Sequence, residues 1–501
     1  MFHRNVSTKT LFEAFQHQVE SRPDATALLL DSQSNVPMRC SWKELAAVVK
    51  LAAASIVHQF DHDKPEQNCI THLSSNCDAD VVIALAALAL GVAEAPLDER
   101  LAKTEIQRRR NMIGGVWLDD EFKSEITSAL LKPADQRTNI DTHDLVVSSQ
   151  SGESSRKDRP SPENTASLIL WTSGTTSEPR AVLLSAAGQF ANATAKLNAV
   201  PQFESEIRLT VLPLSHAYAR TCDFGTWLLS GCTLAVCLGY QGMLRRLERV
   251  KPNLINAVPS MASRMLREKP RNLNRLRLLG CGGAPLDSSD FERWDSQGVT
   301  VIQGYGLTEA GPVICSATPS NAAPNLVGNP VDGWETRLED GQLHVRGSHT
   351  MLGYLKQADA TAQRMTTDGW LATGDLVELD GTTGQFRILG RMDDVIILPS
   401  GQKIHPSAIE REMELIHGIQ HAMLTYHQDK LQLWLNLSDE TGLETVENEA
   451  RKVLANQPYA IRCKIQSFHP NLSMESGELT PKGTIRRGRI MQKRFYDHAG
   501  S

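Results

Sequence analysis

Residues 167–180 read Ser-Leu-Ile-Leu-Trp-Thr-Ser-Gly-Thr-Thr-Ser-Glu-Pro-Arg. The first five are mostly apolar and predict a buried strand, and a helical pattern begins near Ser185. Between them lies a turn of glycine, serine and threonine that ends in Arg180. Backbone N–H groups and hydroxyls in such a turn converge on an anion, and the guanidinium adds charge. The stretch therefore predicts a phosphate-binding loop, although the Walker pattern is absent.

The same alternation of strand and helix extends outward on both sides of this loop. Apolar runs that enter loops, and the helical patterns between them, predict a large α/β domain. The apolar run from Val81 to Ala93 predicts a buried core helix, because it is too short to span a bilayer. Further strand candidates lie at residues 26–30, 209–215, 232–238, 254–260 and 275–283, with a helix at 240–250.

The last part of the chain has a different pattern. Glycine-punctuated β-structure begins near Asp368, and helices and strands mix from Asp394 onward, which predicts a small α+β domain. We place the boundary so that residues 1–392 form the N-terminal domain and residues 393–501 the C-terminal domain. The polar residues 133–166 predict a surface loop or linker, with a short strand at 144–148.

Composition excludes several classes of protein. With 501 residues, and at roughly 150 residues per domain, the chain is long enough for about two to four domains. A net charge of −6 disfavours a nucleic-acid partner. Nine scattered cysteines without a C-x-x-C pair indicate reduced thiols and a cytoplasmic protein. The first 15 residues lack the apolar stretch of a signal peptide, and we expect no transmembrane segment.

The loop and several later segments together resemble the adenylate-forming enzymes, which include acyl-CoA synthetases, peptide-synthetase adenylation domains and luciferases. The loop is similar to their T-S-G-T-T-G-x-P-K motif. Segments that follow in that family's order are G282-G-A-P-L286, G304-Y-G-L-T-E309, G341-Q-L-H-V-R-G347 with Gly353–Tyr354, G369-W-L-A-T-G-D375, G390-R-M-D-D394 with S400-G-Q-K403, and L479-T-P-K-G-T-I-R-R487. The resemblance implies the adenylate-forming fold, a large α/β domain followed by a small mobile α+β domain.

The resemblance also implies a nucleotide site, and the residue types agree with it. Tyr305 offers a flat face to adenine, Asp375 can accept ribose hydroxyls, and Glu309 beside the Thr308 hydroxyl suits Mg²⁺. The expected ATP-binding residues are Thr172, Ser173, Gly174, Thr175, Thr176, Arg180, Gly282, Gly283, Ala284, Pro285, Gly304, Tyr305, Gly306, Asp375 and Arg391. The expected catalytic residues are Thr308, Glu309, Arg391 and Lys482, with Glu309 as the metal ligand.

The implied reaction activates a carboxylic acid as an acyl-adenylate and then transfers the acyl group to coenzyme A. Asp393 matches the family's hinge position, and Gly401 would lie along the thiol channel. Residues 212–220, L-P-L-S-H-A-Y-A-R, resemble a segment of medium- and long-chain acyl-CoA synthetases, so His216 and Gly304 are expected to line the acyl site and the substrate to be a fatty or other apolar acid. Asp223 could instead recognise a substrate amine.

Two departures from the family pattern leave alternatives open. Ser177, Arg180 and Ala181 replace residues that are usually Gly, Lys and Gly in the phosphate loop. Thr484 occupies the position of the family's catalytic lysine. Either Lys482, two residues earlier, reaches the site, or Arg486 substitutes, or adenylation proceeds without this lysine. Because of Thr484, the chain could be a nucleotide-binding homologue with impaired adenylation. Independently of these departures, the acceptor could be the phosphopantetheine of a separate carrier protein instead of coenzyme A.

Overall fold

A computed structural model of the chain describes residues 10–31, 37–60, 69–138, 165–172, 179–399, 402–438, 441–457, 463–473, 475–479 and 485–496. The chain divides into two compact units. The first contains the described residues up to 172 together with 180–336 and 345–371, and the second contains Pro179, 337–344 and the described residues from 372 onward. The predicted domain boundary at 392/393 falls within the second unit and stays a prediction.

Helices and strands alternate through most of the described chain. The helices are α1 Leu11–Ser21, α2 Trp42–Val57, α3 Asp78–Leu90, α4 Lys103–Ile113, α5 Asp120–Leu130, α6 Ala134–Thr138, α7 Ala186–Ala199, α8 Ala217–Ala219, α9 Thr226–Ser230, α10 Gly239–Leu247, α11 Pro259–Glu268, α12 Ser288–Asp295, α13 Ala358–Arg364, α14 Pro406–Glu414, α15 Leu443–Ala455 and α16 Arg487–Ile490. Two further segments, Arg220–Gly225 and Met491–Tyr496, are π-helical.

The strands fall into several sheets. They are β1 Thr26–Leu30, β2 Met38–Ser41, β3 Cys69–Ser74, β4 Ala93–Asp98, β5 Val116–Leu118, β6 Ala166–Trp171, β7 Ala181–Ser185, β8 Ile207–Thr210, β9 Thr233–Val236, β10 Leu254–Ala257, β11 Leu278–Cys281, β12 Thr300–Gly306, β13 Val313–Ser316, β14 Asn329–Pro330, β15 Glu335–Glu339, β16 Gln342–Arg346, β17 Gly353–Tyr354, β18 Leu371–Leu379, β19 Phe386–Arg391, β20 Ile396–Ile397, β21 Lys403–Ile404, β22 Ile419–His427, β23 Lys430–Leu437 and β24 Lys464–Ser467.

Two sheets organise the first unit. One has nine strands in the order β14-β13-β12-β11-β10-β8-β9-β1-β2, and the other has six in the order β17-β7-β6-β4-β3-β5. Strand β10 pairs in parallel with β8 and with β11, and β11 pairs in parallel with β12. The carboxyl ends of parallel strands meet at one edge of a sheet, where α/β proteins bind their ligands.

The core of the first unit lies between these sheets and helices. Trp42 and Trp227 are fully buried and stack with ring centroids 5.0 Å apart. Helix α3 is buried along nearly its whole length, which confirms the core helix predicted at Val81–Ala93, although it begins and ends about three residues earlier. No helix in the described part of the chain is both long and apolar enough to cross a bilayer.

Most local predictions around the phosphate loop are confirmed. Residues 167–171 lie in β6, and Ser185 caps α7 by accepting a hydrogen bond from the Gly188 backbone N–H. The predicted linker is partly wrong, since its beginning forms α6. Arg137 explains the difference, because its buried guanidinium donates to Glu44 and ties the segment to the core. The strand predicted at 144–148 lies outside the described residues.

The second unit is α+β, as predicted. It contains a four-stranded sheet ordered β15-β16-β18-β19, the pair β20-β21 and a three-stranded sheet ordered β22-β23-β24. Ile409 and Met413 of α14 and Ala450 of α15 share one hydrophobic core with Leu433 of β23. All nine cysteines lie in the described ranges, and each is a free thiol there.

Candidate active site

The predicted phosphate loop connects two antiparallel strands, β6 and β7, in which Trp171 pairs with Ala181. The Thr172 backbone N–H donates to the Arg180 carbonyl at 2.9 Å, and the Arg180 N–H donates to Thr172 Oγ1 at 3.0 Å. The residues at the two ends of the loop are thus joined. Predicted phosphate-binding residues outside the described ranges are Ser173, Gly174, Thr175 and Thr176, and their roles stay predictions.

Tyr354 connects the basic end of this loop to the expected metal ligand. It lies in β17, which pairs antiparallel with β7 and places Tyr354 opposite Val182. The Arg180 guanidinium carbon lies 5.1 Å from the centroid of the Tyr354 ring, within cation–π range. The Tyr354 hydroxyl donates to Glu309 Oε1 at 2.8 Å. Arg180, Tyr354 and Glu309, distant in sequence, therefore form one cluster, which we call the Arg180–Tyr354–Glu309 cluster.

The sequence motifs indicate a role for Arg180 and Glu309 but assign none to Tyr354. The available signal was the Gly353–Tyr354 pair, which belongs to the resemblance but had no role attached. Burial raises the pKa of Tyr354, and the neighbouring Glu309 carboxylate raises it further. The phenol is therefore a stable hydrogen-bond donor at neutral pH.

Glu309 follows β12 in a tight turn. Thr308–Ala310 form one 3₁₀ turn, and the Glu309 carbonyl accepts a hydrogen bond from the Met351 N–H at 2.8 Å. Gly306 sits so close to the returning chain that a Cβ there would lie 1.8 Å from the Pro312 carbonyl oxygen. The G-Y-G-L-T-E segment thus needs glycine at this position for a steric reason.

Buried polar side chains form hydrogen bonds with the backbone of the residues that follow Glu309. Asn192 donates to the Val313 carbonyl at 2.8 Å and accepts from the Val313 N–H at 2.9 Å. The Thr221 hydroxyl donates to the Gly311 carbonyl at 3.0 Å. His349 Nδ1 lies 3.0 Å from the Asn192 amide nitrogen, and burial lowers the pKa of His349 to about 4. The imidazole is therefore neutral at pH 7 and can accept this bond.

The carboxylate at Glu309 fits a magnesium ion that arrives with a nucleotide. Within the described ranges, no three His, Cys, Asp or Glu side chains lie close enough to hold a metal by themselves. Mg²⁺ is usually held by one or two carboxylates together with substrate phosphates. A single buried carboxylate next to the Thr308 hydroxyl meets that requirement.

The predicted adenine-binding segments lie at the same sheet edge. Residues 282–285 follow β11, and Gly304, Tyr305 and Gly306 end the adjacent parallel strand β12. A Cβ at Gly282 would lie 3.1 Å from the Tyr218 ring, so this glycine allows residues 282–285 to pack closely against Tyr218. Tyr218 is a second residue that sequence analysis quoted within a motif without assigning a role.

His216 lies within residues 212–220, the segment that resembles medium- and long-chain acyl-CoA synthetases. Its Nε2 lies 3.6 Å from Asp98 Oδ2. Burial opposes ionisation of Asp98, but Arg100, which donates to it at 2.6 and 2.9 Å, lowers its pKa overall. Arg220 anchors the same segment through a buried ion pair with Glu94. His216 therefore lies beside an ionised carboxylate, and its role toward an acyl group stays a prediction.

Asp223 lies in the interior of the first unit, where its carboxylate is paired. Its Oδ1 accepts from Arg208 at 2.5 Å and from Asn256 at 2.6 Å, and its side chain is fully buried. Burial raises the pKa of Asp223 to about 6 although Arg208 opposes the shift. This internal ion pair leaves the alternative role in amine recognition without support.

The second unit holds the predicted ribose residue and its neighbours. Asp375 and Arg391 lie opposite each other in β18 and β19, and Arg391 Nη1 is 3.2 Å from Asp375 Oδ1. The same guanidinium donates to the Thr373 carbonyl at 3.0 Å and lies 3.7 Å from Asp393 Oδ2. The structure thus brings Asp375, Arg391 and the predicted hinge residue together. Outside the described ranges lie Gly401, Lys482 and Thr484.

Arg487 ends the predicted C-terminal loop motif, which assigned it no partner. It donates to Glu410 and to the Leu424 carbonyl at 2.7 Å, and its Nε lies 3.5 Å from Asp394 Oδ1. Burial raises the pKa of both carboxyl groups, and Arg487 counters the shift in each. One cation therefore joins the end of the predicted C-terminal loop to the residue after the predicted hinge.

An edge of parallel strands that carries Gly282, Gly283, Tyr305 and the buried Glu309 carboxylate is typical of a nucleotide-dependent enzyme. The chain belongs to the AMP-binding enzyme family, whose sequence pattern it matches over residues 15–355. The family resemblance inferred from the motifs is thereby confirmed.

Individual relatives and structures agree with this family. The chain is 30% identical over 271 residues to a feruloyl-CoA synthase from Amycolatopsis sp., a match that covers 50% of this chain and only 55% of that relative. It is 28% identical over 460 residues to the fatty acid–[acyl-carrier-protein] ligase MmaC of Mycobacterium marinum, covering 82% of this chain and 83% of the relative. The ATP-bound crystal structure of MatB from Rhodopseudomonas palustris superposes with a TM-score of 0.78 at 18% identity, over 97% of this chain and 99% of MatB. The predicted adenylate-forming fold is confirmed.

Proposed function

We propose that this protein activates a carboxylic acid with ATP and transfers the acyl group to the thiol of coenzyme A. The observation that carries this function is the Arg180–Tyr354–Glu309 cluster, which places a cation and a buried carboxylate beside the base of loop 172–180. The relatives' names support it, since one is named for feruloyl-CoA and another for joining a fatty acid to a carrier protein.

In the first half-reaction a carboxylate oxygen of the acid attacks the α-phosphorus of ATP. The bond from that phosphorus to the bridging oxygen breaks, pyrophosphate leaves, and an acyl-adenylate remains. Residues 172–176 and Arg180 bind the phosphates and balance the charge that develops on them, and such electrostatic stabilisation dominates phosphoryl-transfer reactions of this kind. Magnesium, when bound, neutralises phosphate charge as a Lewis acid. Thr308 and Glu309 are the residues that would hold it.

The nucleoside is bound by residues from several of the sequence motifs. Residues 282–285 contact the edge of adenine, and its face is contacted by Gly304, Tyr305 and Gly306. Asp375 accepts hydrogen bonds from the ribose hydroxyls. Arg391 orients Asp375 through the 3.2 Å contact and reaches ribose or phosphate. Lys482 supplies the positive charge that the family's lysine supplies, from a position two residues earlier.

In the second half-reaction the sulfur of coenzyme A attacks the acyl carbonyl carbon. AMP leaves, and the thiol proton is released. Residues 393–501 turn about Asp393 between the two steps, and Gly401 lines the channel through which the thiol enters, as in domain-closure enzymes. His216 and Gly304 line the acyl site, which takes a fatty or other apolar acid.

A carrier protein is the second candidate acceptor. The match to MmaC covers more than four fifths of both chains, and MmaC is named as a carrier-protein ligase. Loading of a phosphopantetheine thiol would use the same residues and the same leaving group. Weak adenylation is the third candidate, because Thr484 stands where the family has lysine.

Pyrophosphate release with a panel of carboxylic acids tests these candidates. The panel runs through acetate, medium- and long-chain fatty acids, succinylbenzoate and ferulate, each with coenzyme A, with holo carrier protein and with neither. We expect release with an apolar acid and thioester formation only with coenzyme A. Thioester formation on the carrier protein alone would replace the proposed acceptor. ATP binding without release for any acid would indicate a homologue that has lost adenylation.

A further inference from the structure

Tyr354 is buried at the centre of the Arg180–Tyr354–Glu309 cluster, with 5% of its surface exposed, and the reaction above gives it no task. We propose that Tyr354 is a positioning residue that fixes the orientation of the Glu309 carboxylate and thereby sets the affinity of the enzyme for magnesium-bound ATP. This role rests on the proposed function only in that Glu309 must hold the cation.

The backbone holds Tyr354 rigidly. The Leu355 N–H donates to the Ala181 carbonyl at 2.8 Å, so β17 is attached to the strand that leaves the phosphate loop. The Tyr354 N–H donates to Thr361 Oγ1 at 2.9 Å. Because Ala181 directly follows Arg180, the tyrosine and the loop's cation are fixed to the same strand.

The hydroxyl then acts on one oxygen of the carboxylate. Tyr354 carries a single O–H, and it donates to Glu309 Oε1 at 2.8 Å. A carboxylate held at one oxygen cannot rotate freely, so its other oxygen keeps one direction. A hard cation such as Mg²⁺ requires near-ideal octahedral geometry. A carboxylate oxygen that already has a fixed direction loses less conformational entropy on binding the cation than a mobile one.

The ring acts on Arg180 independently of the hydroxyl. The guanidinium lies over the ring face, 5.1 Å from its centroid, and this contact needs only an aromatic ring. Phenylalanine would keep the ring and remove the hydroxyl, whereas leucine would remove both. Both substitutions remove the contacts of the hydroxyl with Glu309 and with Arg364, and only leucine also removes the ring that Arg180 contacts.

Tyr240 provides a matched control in the same unit. It too is buried, with 9% of its surface exposed, and it carries an arginine over its ring, with the Arg264 guanidinium carbon 4.0 Å from the centroid. It belongs to none of the motifs that resemble the adenylate-forming enzymes. Tyr240→Phe thus makes the same chemical change away from Glu309.

The experiment measures ATP binding to the full chain by calorimetry, with excess MgCl₂ and with EDTA, in the absence of any acid. We expect Tyr354→Phe to raise the dissociation constant with magnesium about tenfold, the scale of one charge-assisted hydrogen bond, and to leave it unchanged with EDTA. Tyr354→Leu should weaken binding under both conditions, because Arg180 also loses its support. Tyr240→Phe should match the wild type.

Two outcomes would overturn this role. If Tyr354→Phe weakens ATP binding equally with magnesium and with EDTA, the hydroxyl has only a structural role. If ATP binding is unchanged under both conditions, the hydroxyl has no role in nucleotide binding. If Tyr354→Phe does not fold, Thr361→Val removes the acceptor of the Tyr354 N–H and should shift magnesium-dependent binding in the same direction. A wild-type protein that binds MgATP but releases no pyrophosphate would refute the proposed function and leave this result intact.

Discussion

Arg391 lies directly opposite Asp375 across β18 and β19, with Nη1 3.2 Å from Oδ1. Two residues from separate motifs are therefore one ion pair in the second unit. The pair is only partly exposed, at 29% for the arginine and 12% for the aspartate side chain. Arg391 also donates to the Thr373 carbonyl, so the guanidinium is anchored to the strand that carries Asp375. If Asp375 binds ribose, Arg391 sets the direction of its carboxylate.

Asp375→Ala is expected to weaken ATP binding without unfolding the protein. The variant removes the proposed ribose acceptor, and loss of a hydrogen bond to a charged group costs about 1.5–3 kcal/mol. That corresponds to roughly a ten- to hundredfold rise in the dissociation constant, measured by calorimetry.

Glu378 offers a control on the same pair of strands. It lies opposite Arg387 and pairs with it at 3.0 Å, but the side chains are exposed at 47% and 40%. Exposed pairs contribute at most about 1 kcal/mol to stability. Glu378→Ala should bind ATP as the wild type does. Equal ATP dissociation constants for the two variants would show that Asp375 is not part of the nucleotide site.

Glu309→Gln is expected to reduce pyrophosphate release about a hundredfold at fixed magnesium concentration, because the amide keeps the shape of the side chain and loses its charge. Added magnesium should partly restore the rate. Glu335→Gln, which removes an exposed carboxylate paired with Arg346, is the matched control. A rate for Glu309→Gln that equals the control would contradict the metal assignment.

The sequence predicted the parts of the site that are local. β6 and the cap of α7 follow from a short apolar run and a serine, and the turn at Gly306 follows from its glycine. Tyr354 could not be found this way, because its task depends on strand β17 pairing with β7 and on a carboxylate 45 residues earlier. Sequence patterns contain no direct signal for such long-range contacts.

His349 is expected to make folding stability depend on acid pH. Burial lowers the pKa of His349 from 6.5 to about 4 in the folded protein. The unfolded chain therefore binds the proton first, so the contribution of His349 is complete above pH 6.5 and is lost as the pH falls toward 4. The difference corresponds to about 3 kcal/mol.

Urea unfolding at pH 7, 5.5 and 4.5 measures this effect. His349→Gln can still accept from Asn192, and its stability should fall less between pH 7 and 4.5 than that of the wild type. His58→Gln, at an exposed histidine after α2, should retain the wild-type dependence. Parallel curves for His349→Gln and the wild type would mean that another group controls the loss.

Arg487→Gln is expected to destabilise the second unit. Glu410 and Asp394 would lose their shared cation while remaining less than a fifth exposed, and such a loss costs about 3 kcal/mol. Arg451→Gln breaks an exposed pair with Glu447 and should cost less than about 1 kcal/mol. Urea unfolding compares the two variants, and similar losses would show that the cluster at Arg487 contributes no more than a surface pair.

The importance of Arg487 illustrates a second limit of sequence analysis. The motif assigned Arg487 a place in a loop but not its partners, because Glu410 lies 77 residues earlier in the chain. The mixed pattern of helices and strands from Asp394 onward was sufficient to predict an α+β class. Which carboxylates share one cation is decided only when α14, β22 and the C-terminal residues pack together.

The residues on either side of 480–484 lie close together, which gives the last prediction its structural basis. Leu479 and Ile485 form an antiparallel bridge, and the Arg486 N–H donates to the Glu478 carbonyl at 2.8 Å. These contacts join the two ends of the segment that contains Lys482 and Thr484, and the assignment of Thr484 to the family's lysine position stays a prediction. Lys482 is the nearest lysine that can replace it.

Lys482→Ala and Thr484→Lys distinguish a displaced lysine from a missing one. If Lys482 performs the role of the family's lysine, Lys482→Ala should slow acyl-adenylate formation about a hundredfold, as the loss of one preorganised charged group does. Thioester formation from a supplied acyl-adenylate should continue. If the charge is absent, Lys482→Ala should have little effect and Thr484→Lys should accelerate the first half-reaction, because a cation then neutralises charge that develops on the phosphates. Lys464→Ala, an exposed lysine in β24, is the control for nonspecific loss of charge. An unchanged adenylation rate in both variants would show that neither position acts in the first half-reaction and that the assigned register is wrong.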